Sequence, residues 1–144
     1  MCCLINRTGI LRSTTDMFKP KYPINYAIEK AREMPITKSP SGKTQQRIYA
    51  LCLDAKGRIL SESPNQYTKS HPYQYECSCE VGNEEAIYLH AEISAIVKCK
   101  YKKKIHRLVV ARVGNTGKPL LAKPCPICEI AIANCSIKSI EYTT

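Results

Sequence analysis

The chain has 144 residues, of which 44% are hydrophobic, and a formal net charge of +10 at pH 7. This length is typical of one domain that buries its core without disulfide bonds. No apolar run reaches about 18 residues, so we predict no membrane-spanning helix. Residues 1–7 lack the long apolar segment and cleavage site of a secretory signal, so we expect one cytoplasmic domain over residues 1–144.

Charge and cysteine content both restrict the partners and the compartment. The 22 basic residues exceed the 12 acidic ones, which favours an anionic partner such as a nucleotide, a nucleic acid or an acidic protein. The nine cysteines are an odd number, and their spacing is unlike that of a small secreted scaffold. We therefore predict a reducing compartment with metal-binding thiols, and buried packing roles for Cys52, Cys99 and Cys135 within apolar runs.

The first third of the chain predicts a helix after an irregular segment. Residues 1–21 show no period and are predicted to form a tail or an irregular cover. Apolar side chains at Ile24, Ala27, Ile28 and Ala31 have helical spacing, which predicts a helix over residues 22–34. Proline at both ends of this stretch fits a first helical turn and a stop.

A β-hairpin and a long connection follow. Residues 47–53 and 58–63 are predicted strands joined by a turn that contains Gly57. A connection as long as residues 64–83 usually has a function or a local structure of its own. Its side chains include Tyr67, Tyr73 and Tyr75, which could stack on bases but are predicted to pack over the core.

In the second half, helices and strands alternate. We predict a helix that begins between Glu84 and His90 and ends near Lys100, then a strand over residues 105–113, in which His106 is a packing residue. A helix entered at Cys125 and a last strand over residues 137–142 follow. Alternation of this kind implies parallel pairing and right-handed crossovers, so the predicted fold is α/β with a mixed sheet between helices.

Residues 98–104 contain five lysines. Because this run closes a predicted helix, its cations complement the negative end of the helix dipole. A phosphate-binding patch is the alternative interpretation.

Two motifs, His90-Ala91-Glu92 and Pro124-Cys125-Pro126-Ile127-Cys128, together predict a catalytic zinc site. Cys125 and Cys128 lie three residues apart at a predicted helix start, where the dipole favours thiolates. His90 is the third ligand, and three protein ligands leave the fourth position of zinc open for water. His90 and Glu92 can share a pocket only near a helix start, because positions i and i+2 otherwise lie on different faces.

Glu92 is predicted to move protons. Two thiolates and an imidazole offset the charge of the metal, so the bound water needs a proton acceptor beside it. Glu92 would take the water proton, deliver it to a ring nitrogen and then protonate the departing amine. The expected reaction is hydrolytic deamination.

These motifs resemble the zinc-dependent cytidine/deoxycytidylate deaminase superfamily. The Pro-Cys-Pro-x-Cys form and the last strand are most similar to its deoxycytidylate branch, including small phage members. The resemblance covers residues 47–142 and implies a three-layer α/β/α sandwich with a mixed sheet. It also implies Zn²⁺ held by His90, Cys125 and Cys128, with Glu92 as the proton shuttle.

The resemblance further implies substrate contacts and an assembly. Asn65 would contact the sugar, the backbone of Ala91 would hold the pyrimidine edge, and Tyr142 would form a wall against the base. Homo-oligomers are common in the family, so we expect one. The Gly-x-Asn-Gly stretch of regulated members is absent around Asn65, which argues against allosteric control by triphosphates.

Three functions are compatible with these sequence features. The leading hypothesis is deamination of a free cytosine nucleotide or nucleoside, with dCMP as the best candidate. The second is deamination of cytosine or adenine in single-stranded or flipped nucleic acid, favoured by the charge and the tyrosines. The third is a zinc-containing binding module, which has no need of Glu92.

A second, structural zinc site is a weaker hypothesis. Cys77 and Cys79 lie two residues apart, with His71 nearby. Their spacing is poor and a fourth ligand is not evident.

Overall fold

The computed structural model describes residues 18–83 and 88–144. Within these ranges the helices and strands, in chain order, are α1 (Pro23–Glu33), β1 (Arg47–Leu53), β2 (Ile59–Pro64), α2 (Pro72–Glu80), α3 (Ala91–Lys98), β3 (Arg107–Val113), β4 (Pro119–Leu120), α4 (Pro126–Asn134) and β5 (Ser139–Tyr142). A short 3-10 turn over Lys102–Lys104 precedes β3.

The five strands form one mixed sheet. β1 pairs antiparallel with β2 on one side and with β3 on the other. β5 runs parallel to the first half of β3, and β4 pairs antiparallel with its last two residues. Because α4 lies between β4 and β5 in the chain, it supplies the crossover that a parallel pair needs. The predicted parallel pairing in the second half is therefore confirmed for β3 and β5.

Helices cover both faces of the sheet. α1 packs on one face, and α3 packs on the other face, with α2 and α4 against it. Side chains alternate across a strand, so β1 and β3 contribute to both layers and are buried on both sides. The predicted α/β/α arrangement around a mixed sheet is confirmed. Strand residues on the α1 face include Leu51, Leu53, Val109 and Ala111, and those on the other face include Ala50, Cys52, Leu108 and Val110.

Glu62 links α1 to the hairpin. Its Oε1 accepts hydrogen bonds of 2.7 Å from the hydroxyls of both Tyr26 and Tyr49. Burial raises the pKa of both tyrosines, and the bonds to Glu62 raise it further. Both hydroxyls therefore stay protonated as donors, which holds the helix to the sheet through a charged acceptor.

The connections depart from the predictions more than the sheet does. The connection over residues 64–83 contains α2, so the prediction that it has a local structure of its own is confirmed, although the helix itself was not predicted. α2 shows little amphipathic pattern because Gln74 and Ser78 are among its buried residues. β4 has only two residues, too few for a pattern. α3 begins at Ala91 and ends two residues before the predicted Lys100.

The predicted N-terminal cover is described only in part. The carbonyl of Phe18 accepts a hydrogen bond from the N–H of Ile59, and its ring lies 5.2 Å from that of Tyr26. Residues 1–17 lie outside the described residues. So do residues 84–87, which belong to the range predicted for the start of the helix that ends near Lys100. In the described ranges, no helix has the length and apolarity needed to cross a bilayer.

Candidate metal centre

The N-termini of α3 and α4 meet beside the sheet. His90 is the N-cap residue of α3, and Cys125 is the N-cap residue of α4. Neither side chain makes a capping hydrogen bond, and the two approach each other, with Cys125 Sγ 3.5 Å from His90 Nδ1. Pro126 at the first position of α4 has a backbone angle that suits helix entry, and Cys128 follows within the same turn.

Three atoms of types that can bind a metal converge at this meeting point. His90 Nδ1 lies 3.3 Å from Cys128 Sγ and 3.5 Å from Cys125 Sγ. The three ligand atoms all lie within 4.8 Å of one another, and no second group of three such ligands occurs in residues 18–83 and 88–144. The group formed by His90, Cys125 and Cys128 could therefore hold a metal ion, as the sequence predicted.

The two sulfurs share a proton unequally. The pKa of Cys125 is lowered to about 4, first by the hydrogen bond from the Cys128 thiol and then by His90, although burial opposes this. The pKa of Cys128 is raised well above its ordinary value, because it donates to Cys125, is buried and faces Glu92. A cation between the sulfurs would take the place of that proton, so metal binding would release it.

Glu92 lies beside the ligands and does not belong to their group. It is the second residue of α3 and is only 6% exposed. Burial raises the pKa of its carboxyl, although its own backbone N–H, the charge of His90 and the Cys128 thiol act in the opposite direction. His90 has an extended backbone whereas Glu92 is helical, which is why two residues at i and i+2 reach one pocket.

His90 is supported by contacts that the sequence did not predict. Gln74, wholly buried in α2, accepts a 3.2 Å hydrogen bond from the backbone N–H of His90. The Tyr88 ring lies 4.6 Å from the His90 ring and stacks on Tyr67 at 4.8 Å. Nothing in the local sequence marked Gln74, because the contact joins residues 16 positions apart.

The two ring nitrogens of His90 have different surroundings. Nδ1 faces the two sulfurs, while Nε2 is buried and has no hydrogen-bond partner among the described residues. If Nδ1 binds a metal, then Nε2 must carry the ring proton.

The three predicted substrate contacts lie in different places. Ala91 is fully buried between His90 and Glu92. Tyr142 ends β5 and packs partly against the apolar cluster that contains Ala91. Asn65 uses its amide to accept a bond from the N–H of Ile48 and to donate one to the carbonyl of Gln46, both at 3.1 Å.

Asn65 is nevertheless next in the chain to a residue that is hydrogen-bonded to the segment before His90. The next residue, Gln66, exchanges two backbone hydrogen bonds of 2.9 and 3.2 Å with Leu89, which precedes His90. The roles of Asn65, Ala91 and Tyr142 in substrate binding stay predictions.

The weaker site around Cys77 and Cys79 does not assemble. Cys77 is buried in the core and Cys79 is exposed, because residues two apart point to different sides of a helix. His71 is the N-cap residue of α2, and its Nδ1 accepts a hydrogen bond from the N–H of Tyr73. These three residues form no ligand group in the described part of the chain.

The packing predictions are confirmed for the three cysteines and for one of the three tyrosines. Cys52 and Cys99 are buried, and Cys135 is partly buried against the same core. Tyr73 packs against this core. Tyr67 is half-buried and stacks on the ring of Tyr88, and its packing over the core stays a prediction. The packing role is wrong for Tyr75, which is 52% exposed on the outer face of α2.

No protein-family model matches this chain, and a search of curated proteins finds no match. What its own residues assemble is a group of three ligands that could hold a metal ion, at two helix N-termini, with a buried carboxylate beside it.

Proposed function

We propose that this protein is a zinc-dependent hydrolytic deaminase of a cytosine nucleotide or nucleoside, with dCMP as the best candidate. The observation that carries the proposal is the buried carboxylate of Glu92 next to a group of three ligands. Structural zinc sites usually have four protein ligands, whereas catalytic sites have three and an open position. A purely structural centre also has no use for a buried carboxylate, which is costly to ionise there.

The ligand group supports zinc as the metal. Bond lengths of 2.0–2.1 Å to nitrogen and 2.3 Å to sulfur in a tetrahedron place the two ligand atoms about 3.6 Å apart. The separations of His90 Nδ1 from the two sulfurs are 3.3 and 3.5 Å. Thiolate ligands must be reduced, so the proposal includes a reducing compartment such as the cytoplasm.

Glu92 performs the proton transfers of the proposed reaction. When bound, zinc supplies the Lewis acidity that makes a water molecule nucleophilic near neutral pH. Glu92 takes one proton from this water and delivers it to the ring nitrogen beside the amidine carbon as the C–O bond forms. It then moves the remaining hydroxyl proton to the amino group, and the C–N bond breaks to release ammonia. The raised pKa of Glu92 suits it to carry a proton between these steps.

Deamination of a base within single-stranded or flipped nucleic acid is the second candidate. The stacked rings of Tyr67 and Tyr88 lie next to His90 and offer an aromatic surface for a base. The net charge of +10 also suits a polyanionic substrate. A zinc-containing binding module is the non-enzymatic alternative.

A substrate panel separates these candidates. Purified, reduced protein would be incubated with dCMP, cytidine, and cytosine-containing single-stranded DNA and RNA, with ammonia and uracil products measured. We expect dCMP to be deaminated fastest. Deamination of the polymers alone would overturn the nucleotide assignment, and no product from any substrate at full zinc content would favour the binding module. Light scattering would test the expected homo-oligomer in the same samples.

A further inference from the structure

A broad groove lies at the end of the sheet opposite the metal centre. It has a volume of about 870 Å³, and its walls are the β1–β2 turn, the 3-10 turn and the end of α4. α3 and α4 both begin at the metal centre and run roughly 12 to 14 Å towards this groove. The groove is therefore separate from the pocket that contains Glu92.

The lining of this groove is strongly basic. Among the described residues one carboxylate, that of Asp54, also faces it, but Arg58 Nε binds this carboxylate at 2.6 Å and offsets its charge. We call the site the lysine groove; the cationic side chains that line it, within the described part of the chain, are Lys56, Arg58, Lys102, Lys103, Lys104 and Lys138.

Two of the lysines have a partner within the chain. Lys102 Nζ donates to the carbonyls of Cys99 and Val97, which complements the C-terminal end of α3 as the sequence predicted. Lys104 Nζ lies 5.3 Å from the centre of the Tyr101 ring. Helix termination thus explains part of the lysine run.

The other three lysines lack such a role. Lys56, Lys103 and Lys138 are exposed, and their amino groups make no hydrogen bond or ion pair with any described residue. They come from three different turns, so the tertiary structure alone gathers them. Like charges gathered without internal partners repel one another, and an anion between them would relieve that repulsion.

We propose that the lysine groove binds the sugar-phosphate backbone of single-stranded nucleic acid without reading its sequence. Cations spread along a groove match the repeating charge of such a strand better than one isolated phosphate. None of the described lining residues is Phe, Tyr or Trp, so the groove offers no platform for stacking bases. A strand held there lies at the far end of α3 and α4 from Glu92, so the groove anchors the protein to a polymer and does not deliver a base for reaction.

The test compares two triple variants of equal charge in the full-length protein. The groove variant is Lys56→Glu/Lys103→Glu/Lys138→Glu. The control is Lys21→Glu/Lys43→Glu/Lys118→Glu, which changes exposed lysines elsewhere. Fluorescence anisotropy would measure affinity for a labelled 20-nucleotide thymidine strand in 50 mM salt.

We expect the groove variant to bind at least roughly 30-fold more weakly, and the control within about 3-fold of the original protein. For the original protein, the slope of log affinity against log salt should be about −2 to −4, as three to five phosphate contacts on a single strand require. Lys→Gln at the three groove positions should give an intermediate loss, which guards against a folding defect in the Glu variant.

Equal losses in the two triple variants would overturn the proposal, because net charge alone would then explain binding. Binding to vesicles of anionic phospholipid, with none to the oligonucleotide, would also overturn it. Zinc content and deamination of free dCMP should be the same in both variants, so failure of this inference is distinguishable from failure of the proposed deaminase.

Discussion

α3 and α4 have anionic groups at their N-terminal ends and lysines near their C-terminal ends, and the two sets of charges differ in burial and in partners. At their N-termini, Cys125, Cys128 and Glu92 are wholly or partly buried and linked to each other or to His90. At their C-terminal ends, lysines crowd an open groove, and three of them have no described partner. The helix dipole favours anionic groups at the first end and cations at the second. The difference teaches that burial with defined partners suits chemistry, whereas exposed charge suits association with a polyanion.

Loss of a metal ligand should affect the metal centre and leave the lysine groove unchanged. In Cys128→Ser we expect zinc to fall from about one per chain to near zero, and deamination to fall at least about 1,000-fold. Atomic absorption and an ammonia assay would measure this, with exposed Cys79→Ser as the control. Oligonucleotide affinity should not change. Retained zinc in the variant would show that Cys128 is not a ligand.

Removing the proton carrier should separate chemistry from metal binding. Glu92→Gln keeps the shape of the side chain but cannot shuttle a proton, so kcat should fall about 10² to 10⁴-fold. Zinc content should stay at about one per chain. The control is Glu76→Gln, an exposed change on α2 that should leave kcat unaltered. Unchanged kcat in Glu92→Gln would refute the proposed mechanism.

A substitution at Gln74 tests whether metal binding depends on the hydrogen bond that Gln74 accepts from the backbone of His90. Gln74→Leu leaves the backbone N–H of His90 without its buried acceptor, so zinc affinity should fall about 10 to 100-fold. Competition with a chelator would measure it, alongside exposed Gln46→Leu. Equal zinc affinity in the two variants would mean that Gln74 serves packing alone.

A substitution at Asp54, which lines the lysine groove, has the smallest expected effect. Burial acts to raise its pKa, but hydrogen bonds from Arg58 and from the Lys56 backbone outweigh burial, and the pKa is lowered. Because the folded-state pKa lies below the unfolded value, ionised Asp54 adds stability that is fully present above roughly pH 4. That stability is lost as the pH falls through the folded-state pKa.

Asp54→Asn should therefore lower the free energy of unfolding by about 1–2 kcal/mol at pH 7. Urea unfolding at several pH values would measure the difference, which should shrink below about pH 4. A constant difference at all pH values would show that the charge of Asp54 does not stabilise the turn.

Much of the core was predictable because its signals are local. β1 and β3 are continuous apolar runs, as strands covered on both faces must be. The helix α2 was not predicted because its buried face includes the polar residues Gln74 and Ser78, so its sequence lacks the apolar spacing of an amphipathic helix. The exposure of Tyr75 was missed for a related reason, since residue type does not reveal which side of a helix faces the core.

The sequence by itself indicated the candidate ligands His90, Cys125 and Cys128, and Glu92 beside them, because these reactive side chains have spacings that suit helix starts. It also determined that lysines are abundant near residue 100. Only the tertiary structure decided that the two helix starts meet, that Gln74 supports His90 and that Lys56 and Lys138 join Lys103. The physical reason is range: propensity and capping act over a few residues, whereas these contacts join segments that only packing on the sheet brings together.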